Sequence, residues 1–323
     1  MTRAPLLAIV SLAIALSGCI TIELPGGMPQ PLVETVVEGE AGDKILLIQI
    51  DGVLTEAAVS ESIFSPGESR VARLQEELDR ARKDPGVRAL LLRINSPGGT
   101  VTASDIAYQE IERFKRERGV PVIAQLMGVA ASGGYYVAMA ADHVVAQPTS
   151  VTGSIGVIFA SVNVAGLMEK VGVEDQTLVT GSFKDAGSML RRMTPEERAQ
   201  LQSVLDDMYA RFVEVVEQGR PELGEDAIAR LSDGRIYSAQ QALEHGLVDA
   251  IGDLQGAVRE AADRAGLARA RVVTYHRPRE YRKNLYSVTA RGEGFDLGLR
   301  PWWQALRRAP AFLYLWTPGA LAQ

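Results

Sequence analysis

The sequence predicts an α/β fold in which a mostly parallel sheet is covered by helices on its faces. From Lys44 onward, short apolar runs of β type alternate with segments of helical spacing, the pattern of strands joined by crossover helices. Of 323 residues, 46% are apolar and 23% charged, an ordinary globular composition that excludes disorder and collagen-like structure. Aromatic residues make up only 6% while there are 31 glycines, which favours closely packed layers. The length amounts to about two domains' worth of chain. With 34 Lys+Arg against 40 Asp+Glu, the net charge of −6 argues against a nucleic-acid partner, since nothing in the average neutralises phosphates.

The chain opens with Met1-Thr2-Arg3, an apolar run from Leu6 to Leu16, and then Leu16-Ser17-Gly18-Cys19. An early positive charge, a short hydrophobic stretch and a small-residue exit describe a secretory signal peptide over residues 1–18. The stretch is too short to span a bilayer, which needs about 20 residues. Leu-Ser-Gly-Cys resembles the bacterial lipoprotein box, which implies lipidation of the Cys19 thiol and cleavage just before it. Acyl chains there would anchor the protein to a membrane surface. Cys19 is the one cysteine, so an intramolecular disulfide and a Cys-ligated metal centre are excluded. With only three histidines, a His-rich metal site is not expected; no metal and no cofactor are implied. Residues 19–43, with Pro25-Gly26-Gly27, Pro29 and Pro31, lack apolar periodicity and read as a lipidated tether.

Residues 44–275 read as the folded body. Strands are expected at Ile45–Ile50, Ala89–Ile94, Val120–Leu126, His143–Ala146 and Ile155–Phe159, and helices at Ser69–Arg82, Ala103–Arg118 and Gly133–Ala141. Ile106, Ile111 and Phe114 share one side of the second of these helices, as in an amphipathic cover helix. Thr194-Pro195-Glu196-Glu197 supplies a Thr cap, a Pro at the first position and acids on the positive dipole end of a helix running to about Gln218. No internal repeat is present. Residues 276–323 form a distinct tail with eight Lys/Arg against three acids and eight of the 19 aromatics, among them Trp302, Trp303 and Trp316. That composition suits packing on the body or on a partner copy, or a membrane interface.

Three loops after strands stand where open α/β sheets place ligands. Asn95-Ser96-Pro97-Gly98-Gly99-Thr100 leaves a strand through two glycines into a helix start, presenting backbone N–H groups suited to an oxyanion. Ala131-Ser132-Gly133-Gly134 places a serine between small residues at a strand-to-helix turn. Ser132 fits a nucleophile that a carbonyl can approach, and equally a helix N-cap. A nucleophile needs a base. His143 lies in an apparent strand, His245 at a helix end and His276 at the start of the tail, none well placed for the work. A lysine serves where burial keeps it neutral, and Lys184 in Gly181-Ser182-Phe183-Lys184-Asp185 is the candidate; it also fits a solvated lysine paired with Asp185.

Asn95-Ser96-Pro97-Gly98-Gly99, Ala131-Ser132-Gly133-Gly134-Tyr135-Tyr136, Thr152-Gly153-Ser154-Ile155-Gly156-Val157 and Gly181-Ser182-Phe183-Lys184 resemble, in order and spacing, the bacterial signal peptide peptidase A family from about Lys44 to Ile251. The resemblance implies a ClpP/crotonase-like α/β fold, a ring-forming homo-oligomer and a serine protease with a Ser–Lys dyad. The family's serine and lysine fall on Ser132 and Lys184, its oxyanion donors on Gly99 and Gly133, and its lysine-orienting serine on Ser154. Many relatives carry a membrane helix where this chain has a lipoprotein box, and the tail after about Tyr275 maps onto nothing in them.

The expected protein is therefore exported and lipid-anchored to a bacterial cell membrane on its extracytoplasmic face. It cleaves hydrophobic peptides such as spent signal peptides, at sites shared between protomers. A silent peptide-binding or ring-forming scaffold on the same fold is the alternative, against which the intact serine and lysine count. An acyl-CoA-handling crotonase shares the paired N–H groups, but CoA thioesters are cytoplasmic.

Overall fold

The computed structural model describes residues 30–57, 68–278, 280–287 and 312–316. Cys19, the signal sequence, Trp302 and Trp303 lie outside the described residues. Strands β1 (Val33–Glu38), β2 (Asp43–Asp51), β3 (Val87–Ser96), β5 (Val122–Ala131), β6 (His143–Ala146), β7 (Val151–Gly153), β9 (Ile236–Ser238), β10 (Ala250–Ile251) and β11 (Ala270–His276) form one sheet. Its path runs β1-β11-β2-β3-β5-β6-β10, with β7 joined to the far end of β5 and β9 to β7. Every pair is parallel except β1 with β11 and β7 with β9. A smaller antiparallel sheet of β4 (Gly98–Thr100), β12 (Phe312–Leu315) and β8 (Ile158–Phe159) sits beside it, in that order with β12 central.

The central strands read as continuous apolar runs because both of their faces are covered. Leu46, Ile48, Leu90 and Leu92 point to one side, against α1 (Arg70–Arg82) through Leu74 and Leu78 and α2 (Val101–Arg118) through Ile111 and Phe114. Ile45, Leu47, Ala89 and Leu91 point to the other, against Leu254, Ala257 and Ala261 of α8 (Leu254–Arg264). The helices start where the sequence signals them. Ser69 caps α1 by accepting from the Ala72 N–H, and Thr100 caps α2 by accepting from Ala103. Thr194 and Glu197 form a reciprocal capping box at the start of α5 (Pro195–Gly219).

Three boundaries differ from the sequence reading. The tether ends sooner, since β1 pairs with β11 and buries Leu32 and Val37; its brevity and flanking prolines hid its period. The expected strand at Ile155–Phe159 shrinks to β8, because Ser154 and Gly153 adopt positive φ and turn the chain out of the main sheet. The body continues past Tyr275 among the described residues: β11 runs through His276, and Leu285 is buried where its carbonyl accepts from Arg93 Nη1 at 3.0 Å. Further on, β12 completes the second sheet.

Lys44 ties this edge together, donating from Nζ to Glu34 of β1 at 2.9 Å and to Asp84 at 2.7 Å. Burial pushes the Asp84 carboxyl up, but Lys44, the Gly86 N–H and the Tyr275 hydroxyl outweigh it and hold Asp84 below the usual carboxylate range. A depressed carboxylate stabilises the fold above its ordinary titration range and loses that contribution as pH falls through its lowered value. Melting temperatures of the parent and Asp84→Asn proteins are thus expected to differ at neutral pH and to converge in acid. A gap unchanged into strong acid would contradict this assignment.

Candidate active site

β3 and β5 run side by side, so the loops that leave their C-terminal ends meet. After β3, Ser96 Oγ donates to the Gly52 carbonyl at 2.6 Å and accepts from the Gly98 N–H at 3.1 Å, fixing the turn. Gly98 has φ +101°, which a side chain rarely adopts. Leu54 then takes one edge of β4: its N–H reaches the Gly98 carbonyl and its carbonyl accepts from Thr100, both at 2.9 Å. Peptide groups alternate along a strand, so the Gly99 N–H faces away from Leu54, towards β12.

β5 ends at Ala131, and the six-residue helix α3 (Gly133–Ala138) starts at once. Ser132 lies between them at φ +52°, ψ −118° and is 1% exposed. Its N–H donates to the Gly153 carbonyl at 2.7 Å, and its own carbonyl accepts from Tyr136 at 2.8 Å. Although Ser132 occupies the N-cap position, its hydroxyl makes no capping bond, which removes the cap explanation for a serine here. A strained strand-to-helix elbow of this kind lifts a nucleophile out of the helical path. Gly133 follows because there is no room for more: a Cβ would stand 2.3 Å from Ser104 Oγ and 3.0 Å from the Gly98 Cα.

Gly153 brings its neighbour with it. Ser154, at φ +51°, donates its N–H to the Arg235 carbonyl at 2.8 Å, beside the elbow that Gly153 holds. Ser132 and Ser154 are the two non-glycine residues with positive φ among the described residues, and both are residues that the sequence singled out. Strain of this sort costs about 1–3 kcal/mol per residue. Ser132→Gly is therefore expected to raise the melting temperature by a few degrees, from a gain of about 1 kcal/mol, while leaving no peptide hydrolysis. Scanning calorimetry with a peptide assay checks both; a lower melting temperature would mean that the elbow is not strained.

Lys184 lies elsewhere. It is exposed, in a turn where its N–H donates to the Gly181 carbonyl at 3.0 Å, and no hydrogen bond links it to Ser132. The pairing with Asp185 that its sequence also allowed is taken by Arg191, whose Nε and Nη2 donate to Asp185 at 2.7 Å each and hold that carboxyl below its usual range. The stretch around Lys184 exposes large apolar side chains, with Leu178 97% and Phe183 51% exposed. None of the histidines touches Ser132. His143 meets Arg264 at 2.9 Å, His276 lies between Thr35 and the Arg277 carbonyl at 2.8 Å each, and His245 packs edge-on to Tyr237.

The participant that sequence reasoning missed is β12. Tyr314 pairs with Gly99, and its ring is fully buried against Tyr136 and Phe212, with centroids 5.1 and 4.6 Å away. Its hydroxyl donates to the Met208 carbonyl at 2.6 Å. The apolar run Phe312–Leu315 was the available signal, obscured by the basic and proline-bearing stretch around it.

Residues 114–268 match the model of Peptidase family S49, and residues 72–152 match that of Clp protease. The chain is 36% identical to a protein of Enterococcus faecium named "Putative signal peptide peptidase SppA", over 75% of this chain and 70% of that one. It is 33% identical to "Protease 4" of Salmonella typhi over 67% of this chain, and 33% identical to "Serine protease SPPA, chloroplastic" of Arabidopsis thaliana over 72% of it. It spans only 34% of the length of each of these last two.

Proposed function

Because this chain belongs to peptidase family S49 and is a serine protease on a ClpP-like α/β fold, we propose that Ser132 is its nucleophile and Lys184 of a neighbouring copy its general base. The observation that carries this reading is the elbow: Ser132 is strained, buried and released from capping, and the Gly133 that follows it packs against Gly98, the neighbour of Gly99. The Ser132 hydroxyl attacks the scissile carbonyl while the neutral amine takes its proton and later delivers it to the leaving nitrogen. The Gly99 and Gly133 N–H groups receive the oxyanion, a contribution of roughly 3–4 kcal/mol for each such donor in comparable enzymes. Ser154 holds the lysine in line.

A lysine base needs burial to stay neutral, and its own chain leaves Lys184 exposed among apolar side chains. A second copy covering this stretch would bury it and bring it to Ser132, which makes the active form a homo-oligomer of head-to-tail contacts. The substrates are hydrophobic peptides such as cleaved signal peptides, met at a bacterial membrane to which lipid on Cys19 would tether the enzyme. Among the described residues no helix is long and apolar enough to cross a membrane.

Treatment with a serine-directed phosphonate, followed by mass mapping of the adduct, tests the core of this reading. The adduct is expected on Ser132 and is expected to vanish in Lys184→Ala protein. Labelling at another serine would overturn it, and absence of any adduct would favour a peptide-binding scaffold.

A further inference from the structure

We propose that residues 280–287 form a membrane-contact strap, in which Tyr281 and Tyr286 enter the headgroup layer of a bilayer and Lys283 pairs with anionic lipid. The proposal rests on the reading that lipid on Cys19 holds the enzyme at a membrane, and it adds to that reading a surface and a lipid chemistry.

A surface that meets lipid has to be firm behind and open in front. Behind, Leu285 and Ser287 are buried. The Leu285 carbonyl accepts from Arg93 Nη1 at 3.0 Å, and the Ser287 carbonyl from Gln49 Nε2 at 2.9 Å and Arg282 Nη1 at 3.2 Å. Gln49 and Arg93 are register partners on β2 and β3, so the strap is fixed to the sheet itself. The Ser287 hydroxyl accepts from the Lys283 and Asn284 N–H groups at 2.9 and 3.0 Å, and Asn284 Oδ1 from the Tyr286 N–H at 2.9 Å, which closes the turn. In front stand Tyr281, Lys283, Asn284 and Tyr286, with the tyrosines 53% and 52% exposed. Two rings held half in water with a lysine between them have the composition of an interfacial belt. There the ring lies at headgroup level and the amine stays with the phosphates.

The acids around the strap are already paired. Glu280 meets Arg73 at 3.3 Å and Arg282 at 3.1 Å, while Glu68 and Glu76 both pair with Arg277. Lys283 forms no ion pair among the described residues; its Nζ lies over the Tyr281 ring, 6.0 Å from the centroid. The free charge of this surface is therefore positive and suits anionic headgroups.

The start of the chain supports a bilayer as the occupant. Gln30 follows Cys19 by eleven residues, a reach of at most about 40 Å when fully extended. Its carbonyl accepts from Arg277 Nη1 at 2.6 Å, and Arg277 stands three residues before Glu280. The tether and the strap thus leave the body at one place, so an acylated Cys19 keeps the strap within reach of lipid. The acyl chains then supply proximity, and the strap supplies orientation. Its anchor is close to the site: Arg93 Nη2 also donates to Asp51 at 3.1 Å, and the next residue, Gly52, accepts from Ser96 in the loop that carries Gly98 and Gly99.

The test uses the full lipidated chain in vesicles of phosphatidylcholine, with and without phosphatidylglycerol. With Cys19 acylated, Asn284→Cys supplies the one free thiol for a polarity-sensitive dye. Its emission is expected to shift to the blue and to be quenched by lipid spin-labelled near the headgroup. The same dye on Gln240→Cys, an exposed position of α7 (Ala239–Glu244), is expected to do neither. Added to the dye-bearing chain, Lys283→Gln should lower the docked-to-free ratio of the strap about fivefold on the anionic vesicles alone. Tyr281→Ser with Tyr286→Ser should lower it about tenfold on both kinds. These side chains are exposed, so the variants are expected to keep the parent melting temperature. Quenching at 284 no stronger than at 240, or unchanged by Lys283→Gln on anionic vesicles, overturns the proposal. A dye shielded from water yet untouched by spin-labelled lipid overturns it too, and gives the strap to a second copy of the chain. Mass spectrometry of the N-terminal peptide separates this proposal from the reading it rests on. Quenching at 284 without acyl chains on Cys19 would sink the lipid anchor and leave the strap; an acylated Cys19 without quenching would do the reverse.

Discussion

Ser132→Ala and Lys184→Ala proteins, each devoid of hydrolysis, are expected to recover activity when dissociated together and reassembled. Removing a nucleophile or its base lowers the rate by several orders of magnitude, so each parent variant gives a clean background. In a site built between copies, random assortment puts an intact serine beside an intact lysine in roughly one quarter of positions. In a self-contained subunit every site lacks one partner, and mixing restores nothing. The structure sets up this contrast, since Ser132 is buried at the elbow while Lys184 is exposed in a turn without a hydrogen bond between them. Verified mixed assemblies that stay silent would defeat the shared site. His143→Ala and His245→Ala are expected to keep the parent rate, as both rings are engaged with other partners.

What the sequence disclosed was local, and what it concealed was carried over distance. The strands at Ile45–Ile50 and Ala89–Ile94 were legible because each is apolar on both faces, and the helices because Ser69, Thr100 and Thr194 announce their starts. Ser132 stood out through its small neighbours and Ser154 through the family resemblance, and in the structure both have positive φ with a glycine beside them. β1 was not legible: six residues paired antiparallel to a strand more than 200 positions away carry no period of their own. β12 was harder still. Four residues within a basic, aromatic tail become a strand only because β4 and β8 leave a slot between them. The fate of Lys184 is of the same kind, since exposure in one copy of the chain decides whether another copy is needed, and no spacing between 132 and 184 expresses that.

Gly99→Ala is expected to remove most of the catalytic rate without touching either member of the proposed Ser132–Lys184 dyad. A methyl group on Gly99 would stand 1.9 Å from the Leu54 carbonyl oxygen and 2.6 Å from the Leu54 nitrogen. Those atoms are backbone, and the Leu54 side chain is buried in the core, so Leu54 has little freedom to retreat. β4 must shift instead, and the Gly99 N–H shifts with it, out of line with the oxyanion. Loss of one such donor lowers kcat by about 100- to 1,000-fold. Because the donor acts chiefly in the transition state, kcat is expected to fall with KM little changed. The phosphonate, which also builds a negative oxygen at Ser132, is expected to react more slowly by a similar factor. The displaced strand carries a stability cost as well, since Leu54 and Thr100 share bonds across it, so melting temperature is followed in parallel. A Gly99→Ala protein that folds and labels at the parent rate but shows a raised KM would assign β4 to substrate docking and remove Gly99 from the oxyanion hole.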